Sequence, residues 1–152
     1  MRERLTDREW DTLLFAPILA NNLFWRAAED AGHSGVGPAV IHAFGEAVKQ
    51  AHMHVTDPLT REVVLDLATN GSAIMQRAIA ASATLSPGDA MIQAVGIADR
   101  VSAPEKAAGY RQFLIDMCEA SARAIECEPG SEMDQIRSGL LQAVRDAIGR
   151  EA

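Results

Sequence analysis

The stretch Tyr110-Arg111-Gln112-Phe113-Leu114-Ile115-Asp116-Met117-Cys118-Glu119-Ala120-Ser121-Ala122-Arg123-Ala124 decides the fold. Tyr110, Phe113, Leu114, Met117, Ser121 and Ala124 recur at spacings of three and four residues, the period that lines one side of an α-helix. Asp116, Glu119, Arg123 and Glu126 occupy another face. Glu119 and Arg123 stand in the favourable i,i+4 order. Glu128-Pro129-Gly130 ends the pattern, and Ser131 with Asp134 opens another that carries Met133, Ile136, Leu140, Leu141, Val144 and Ile148.

Immediately upstream, Ala98-Asp99-Arg100-Val101-Ser102-Ala103-Pro104-Glu105 closes one predicted helix and opens the next. Ser102 and Glu105 have capping-box spacing, in which each side chain satisfies an orphan backbone N–H of the other residue. Thr6 and Glu9 have the same spacing ahead of Trp10, Leu13 and Leu14. Pro17 should kink or split that first helix, because it lacks an N–H and clashes with the preceding turn. Ala28-Glu29-Asp30, a turn at Gly32, Gly35 and Gly37, and Pro38 at a first helical position repeat the helix–acidic turn–helix order. A helix from about Pro38 to Met53 places Ile41, Phe44, Val48 and Ala51 on one side. Thr56 or Asp57 caps the next, with Pro58 at its first position. Asn70-Gly71-Ser72 either stops this helix or sits inside a kinked continuation, at about 1 kcal/mol for the glycine. Ser86-Pro87-Gly88-Asp89 starts another, followed by Met91, Ile92, Val95 and Ala98. No segment alternates with period two, so no sheet is expected.

The expected fold is therefore all-α. A single compact domain over residues 1–152 holds six to seven helices packed as antiparallel hairpins. Pairing Pro38 with Pro104 also pairs Phe44 with Tyr110 and Val48 with Leu114, which allows a duplicated hairpin.

Fourteen Lys and Arg face twenty-one Asp and Glu, a formal net charge of −7. The basic residues are scattered, whereas nucleic-acid binders carry a basic stripe, so no nucleic-acid partner is expected. An acidic surface is also repelled by anionic lipid headgroups. No apolar run approaches the ~20 residues of a membrane span, and Met1-Arg2-Glu3-Arg4 leads into polar residues rather than a signal core. Cys118 and Cys127 form no C-x-x-C pair. On one helix they would lie about 13 Å apart along its axis, too far to bridge. The expectation is two reduced thiols in an acidic cytoplasmic protein.

Few residue groups suggest chemistry. Asp99 and Glu105 bracket a turn where two carboxylates are candidate ligands for a divalent cation. Read structurally, Glu105 caps a helix and Asp99 is solvated. His52 and His54 are two residues apart, about 200° around a helix, so they converge with Asp57 only if the helix stops near Ala51. That arrangement would make a small metal-dependent enzyme. His42 and Glu46 share one face at i,i+4, which is half a site. No G-x-S-x-G elbow and no Walker lysine appear. Trp10, Phe15, Phe24, Trp25 and Met75 are core, a homodimer face, or the wall of a hydrophobic-ligand pocket near Phe24, Trp25 and Met75. Asn21 and Asn22 stand among apolar residues, where a buried amide needs partners.

At Asp99, Pro104-Glu105 and Tyr110-Arg111-Gln112-Phe113-Leu114, the chain resembles the TerB-like, tellurite-resistance, helical superfamily. The opening Thr6-Asp7-Arg8-Glu9-Trp10 is similar to starts of such proteins, and Asp30 is the counterpart of Asp99 in the first turn. The resemblance covers about a third of the chain, with Arg100 where a glycine is usual. It implies an all-helical, cytoplasmic, stress- or ion-responsive protein with Asp99 and Glu105 at any metal. The leading expectation is a non-enzymatic binding or interaction protein, with a second copy or another protein as its partner. Catalytic residues and a resident cofactor are not assigned.

Overall fold

Leu13-Leu14-Phe15-Ala16-Pro17-Ile18-Leu19-Ala20 is apolar without interruption, and a helix that is apolar on every side has to be enclosed by its neighbours. The structure, a computed structural model, describes residues 2–33, 35–103 and 108–149. Among these residues it forms a 3₁₀ turn (Arg2–Arg4) and six α-helices and no strand. The helices are α1 (Asp7–Asp30), α2 (Gly37–His54), α3 (Pro58–Ala81), α4 (Pro87–Val101), α5 (Ala108–Arg123) and α6 (Glu132–Gly149). The chain is thus the all-α bundle expected. In α1, every residue from Thr12 to Asn21 is buried. Helices α1 and α5 form the centre, each packing against all five others. The first three helices pack against one another, as do the last three, and α1 pairs with α4 as α2 pairs with α5. The proposed repeat partner Pro104 lies outside the described residues.

Of the two expected outcomes at Pro17, the split does not occur: α1 runs unbroken through it. Without an N–H, Pro17 leaves the carbonyl of Leu13 with no i→i−4 donor. Leu13 is fully buried, so water cannot serve that oxygen. The Tyr110 hydroxyl, from α5, donates to it at 2.7 Å. Burial pushes the Tyr110 phenol well above its ordinary value, so it remains a donor at any physiological pH. About two turns further along α1 and three along α5, Ser121 Oγ donates to Asn21 Oδ1 at 2.7 Å, with both side chains buried. The two central helices are therefore joined by two polar bridges inside an apolar core.

The helix starts follow their caps. The Thr6–Glu9 capping box is complete, and Asp57 and Ser86 each accept a backbone N–H at their helix starts. The C-terminal pair is tied reciprocally. Arg111, early in α5, donates to the Ile148 carbonyl at 2.5 Å near the end of α6. Arg137, early in α6, donates to the Ile125 carbonyl at 2.7 Å just past α5. Each guanidinium covers orphan carbonyls at the negative end of the other helix, which requires α5 and α6 to be antiparallel. Helix α3 continues through Asn70-Gly71 with a kink, Asn70 standing at φ −121°, ψ 25°. The Asn70 amide donates to Asp66 Oδ1 at 2.8 Å, while Trp10 Nε1 donates to Asp66 Oδ2 at 2.9 Å. The apolar face of α2 keeps Phe44 and Val48 buried and Ala51 against the core as expected, but Val40 rather than Ile41 continues it: Val40 is buried and Ile41 is 40% exposed.

Replacing Tyr110 with Phe should cost about 1–3 kcal/mol, because the Leu13 carbonyl is stranded. In a Pro17→Ala background the restored amide serves that carbonyl, so the same change should cost markedly less. Urea unfolding of the four proteins in a double-mutant cycle measures the difference; equal costs in both backgrounds would refute the coupling. Stability should also fall in acid through Glu9 and Asp134. The Thr6 N–H and then Arg100 hold Glu9 below its ordinary value, and the Gly130 N–H and then Arg137 do so for Asp134. A carboxylate with a lowered folded-state pKa contributes stability above its unfolded value, and that contribution disappears as pH falls through the folded value. Melting temperatures from pH 6 to pH 3 should therefore drop less steeply in a Glu9→Gln, Asp134→Asn variant than in the parent.

Candidate functional site

Pro58 forces the residue before it out of helical geometry, and Asp57 is extended at ψ 126°. Val55 is extended too, so α2 ends at His54 and α3 starts after three intervening residues. Asp57 is 5% exposed, and its Oδ2 accepts from Thr60 N at 2.9 Å and Thr60 Oγ1 at 2.5 Å. The second residue of α5 sits directly on this cap: a Cβ on Gly109 would lie 2.7 Å from the Asp57 Cβ. The start of α5 is therefore held at the end of α2, and the two helices run antiparallel from that point.

Beyond this joint α2 and α5 enclose a cleft of about 800 Å³. Its floor is made of small and buried apolar groups: Ala43, Ala47 and Ala51 at every fourth position of α2, with Phe113, Met117 and Ala120 from α5. Its rim carries Glu46, Gln50, His54, Gln112, Asp116, Glu119 and Arg123. Most of the rim charge is already engaged. Glu46 pairs with Lys49 at 3.3 Å. Glu119 accepts from Arg145 at 2.5 Å and lies 4.0 Å from Arg123, the expected i,i+4 partner. Asp116 accepts only from the Gln112 amide, at 2.8 Å, and has no cation among the described residues.

The residues singled out in the sequence fall in different places. His54 and Asp57 both line the cleft. His52 is exposed and does not, because α2 runs through His54 and turns the two histidines apart. Oδ2 of Asp57 is taken by Thr60. His42 is exposed on α2. Asp99 is only partly solvated: Arg111 donates to its Oδ2, and its Oδ1 is buried without a hydrogen-bond partner among the described residues. A guanidinium on that carboxylate competes with any cation there. Glu105, the other proposed ligand, lies outside the described residues, as does half of the Ser102–Glu105 capping box. Among the described residues no three His, Cys, Asp or Glu gather at one point.

Phe24 is fully buried and Met75 packs against the core. The Trp25 ring lies over Gly37, where a Cβ would meet it at 2.8 Å, and its Nε1 donates to Glu29 at 2.6 Å. These side chains fill space between helices, and the α2–α5 cleft lies elsewhere. Both cysteines are free. Burial, with Glu119 beside it, pushes the Cys118 thiol up to about 12, which suppresses the reactive thiolate. Cys127 lies past the end of α5 rather than on the same helix.

The sequence reading did not find the cleft. Its signal was present in Ala43, Ala47 and Ala51, which leave room at spacings where larger side chains would close the α2–α5 seam. No family model matches the chain, and no curated protein or solved structure matches it either.

Gly109→Ala should destabilise the protein by about 1–3 kcal/mol, since the added methyl meets a buried, hydrogen-bonded cap that has no room to retreat. Gly45→Ala, at an open helical position, should be neutral or slightly stabilising. Parallel urea titrations test the pair.

Proposed function

We propose that this protein is a non-enzymatic binding module whose ligand site is the cleft between α2 and α5. The observation that carries the reading is the cleft itself. At about 800 Å³ it falls within the range of small-molecule sites, and it combines an apolar floor with a few polar groups on the rim. A metal-dependent enzyme built on His52, His54 and Asp57 receives less support. His52 points away from the other two, and Oδ2 of Asp57 is already engaged by two donors from Thr60 in the helix it caps. The hydrophobic-ligand reading survives in altered form, moved from Phe24, Trp25 and Met75 to the α2–α5 seam. The acidic character of the chain favours a ligand without negative charge.

Amide chemical-shift mapping with a panel of small apolar fragments tests the reading. Shifts should concentrate on residues 43–57 and 109–124. Shifts confined to the exposed apolar side chains Leu65, Ile79 and Ile92 would reject the cleft as the site. In the same titration, calcium, manganese or zinc that perturbs Asp99, with the effect lost in Asp99→Asn, would favour the ion-responsive alternative implied by the TerB-like resemblance.

A further inference from the structure

We propose that the cleft takes a linear aliphatic amine, its hydrocarbon chain on the alanine floor and its ammonium on Asp116. This rests on the binding reading above and adds the chemical class of the ligand. Three observations carry it: shape, apolar surface and one exposed carboxylate without a cation.

Shape favours an elongated occupant. On α5 the cleft is lined from Gly109 to Ala124, about 22 Å at 1.5 Å per residue, and on α2 from Ala43 to His54, about 17 Å. The cleft is therefore a long open trough of about 800 Å³ rather than a round cavity. An extended chain of methylenes matches that length.

The floor suits such a chain. Ala47, Ala51 and Ala120 provide shallow apolar surface, and Phe113 and Met117 stand behind it. Each CH₂ removed from water there is favourable by about 0.8 kcal/mol. The contact of Gly109 with Asp57 also fixes the facing of the two antiparallel helices. Counting residues away from that joint in both directions, Asp116 stands about opposite Gln50, midway along the cleft.

Charge then selects the head group. Glu46 and Glu119 are each paired with a cation. Asp57 has no cation but is buried, with its Oδ2 held by Thr60. Asp116 is the exposed rim carboxylate without a cation among the described residues. An ammonium restores balance there. A carboxylate or phosphate head would meet repulsion from Asp116 and from the chain's net charge of −7. Gln112 and Gln50 supply neutral polar edges beside the head group.

Calorimetric titration with octylammonium, octan-1-ol and octanoate, all below their aggregation limits, tests both levels of the reading. Octylammonium should bind most tightly and octanoate least, with the preference for octylammonium shrinking as salt is raised. Asp116→Asn should weaken octylammonium about fivefold, the scale of a partly exposed ion pair, and leave octan-1-ol unchanged. Gln50→Trp, at an exposed position on the cleft rim, should weaken both. If octan-1-ol or octanoate binds as tightly as octylammonium, or if Asp116→Asn has no effect, the amine assignment is overturned while the cleft stands. If octylammonium and octan-1-ol bind but neither responds to Gln50→Trp, the cleft itself is the wrong site. Absence of saturable octylammonium binding overturns the proposal, and tight binding of a basic helical peptide in its place would mark a protein-docking groove.

Discussion

The hydroxyl of Tyr110 on the Leu13 carbonyl is the interaction on which the bundle depends. A proline in a helix interior normally costs about 3 kcal/mol or more, and a stranded carbonyl in a dry core adds to that. Here the proline lies in the helix that every other helix covers. The only donor that can reach the freed oxygen must come from a neighbouring helix, and Tyr110 is the chain's single tyrosine. Its hydroxyl fixes α5 against α1 in rotation and in height, as apolar packing alone does not, because packing is non-directional. The Asn21–Ser121 pair repeats the constraint further along the same two helices. With α1 and α5 locked, the positions of the remaining helices follow from their short connections and their caps.

Helix existence was legible in the sequence because it rests on local signals. Thr6–Glu9, Asp57-Pro58, Ser86-Pro87 and Ser131 each announce a start by the hydrogen bond they make, and each makes it. That α1 runs unbroken through Pro17 was not legible, for a reason local sequence does not contain: the penalty is relieved by a residue 93 positions later in the chain. Ile41 was misread because the α2 pattern contains two overlapping apolar stripes, Val40-Phe44-Val48 and Ile41-Phe44-Val48, that only tertiary packing separates.

The site was less legible than the fold. Charged and aromatic residues drew attention to Asp99, His52 and Phe24, yet these are an ion pair, an exposed surface group and core packing. A cleft is defined by what does not fill it, and in a sequence that is recorded only as alanine. Alanine is also the best helix former, so Ala43, Ala47 and Ala51 read as ordinary helix until Gly109 and Asp57 set the spacing of the two walls.

The same arrangement explains how such a bundle tolerates an open seam. Leaving apolar surface uncovered sacrifices roughly 25 cal/mol for each Å², a real cost for a protein of marginal stability. That cost is least where the two walls are held by other means. Helix α5 is fixed from behind by Tyr110, Ser121 and the arginine caps it exchanges with α6. Helix α2 is fixed at its end by the Asp57 joint and on its buried side by Val40, Phe44 and Val48. Helices α2 and α5 also pack against each other, so the walls keep their spacing while the open side of the seam is free to be shaped by a ligand rather than by the core.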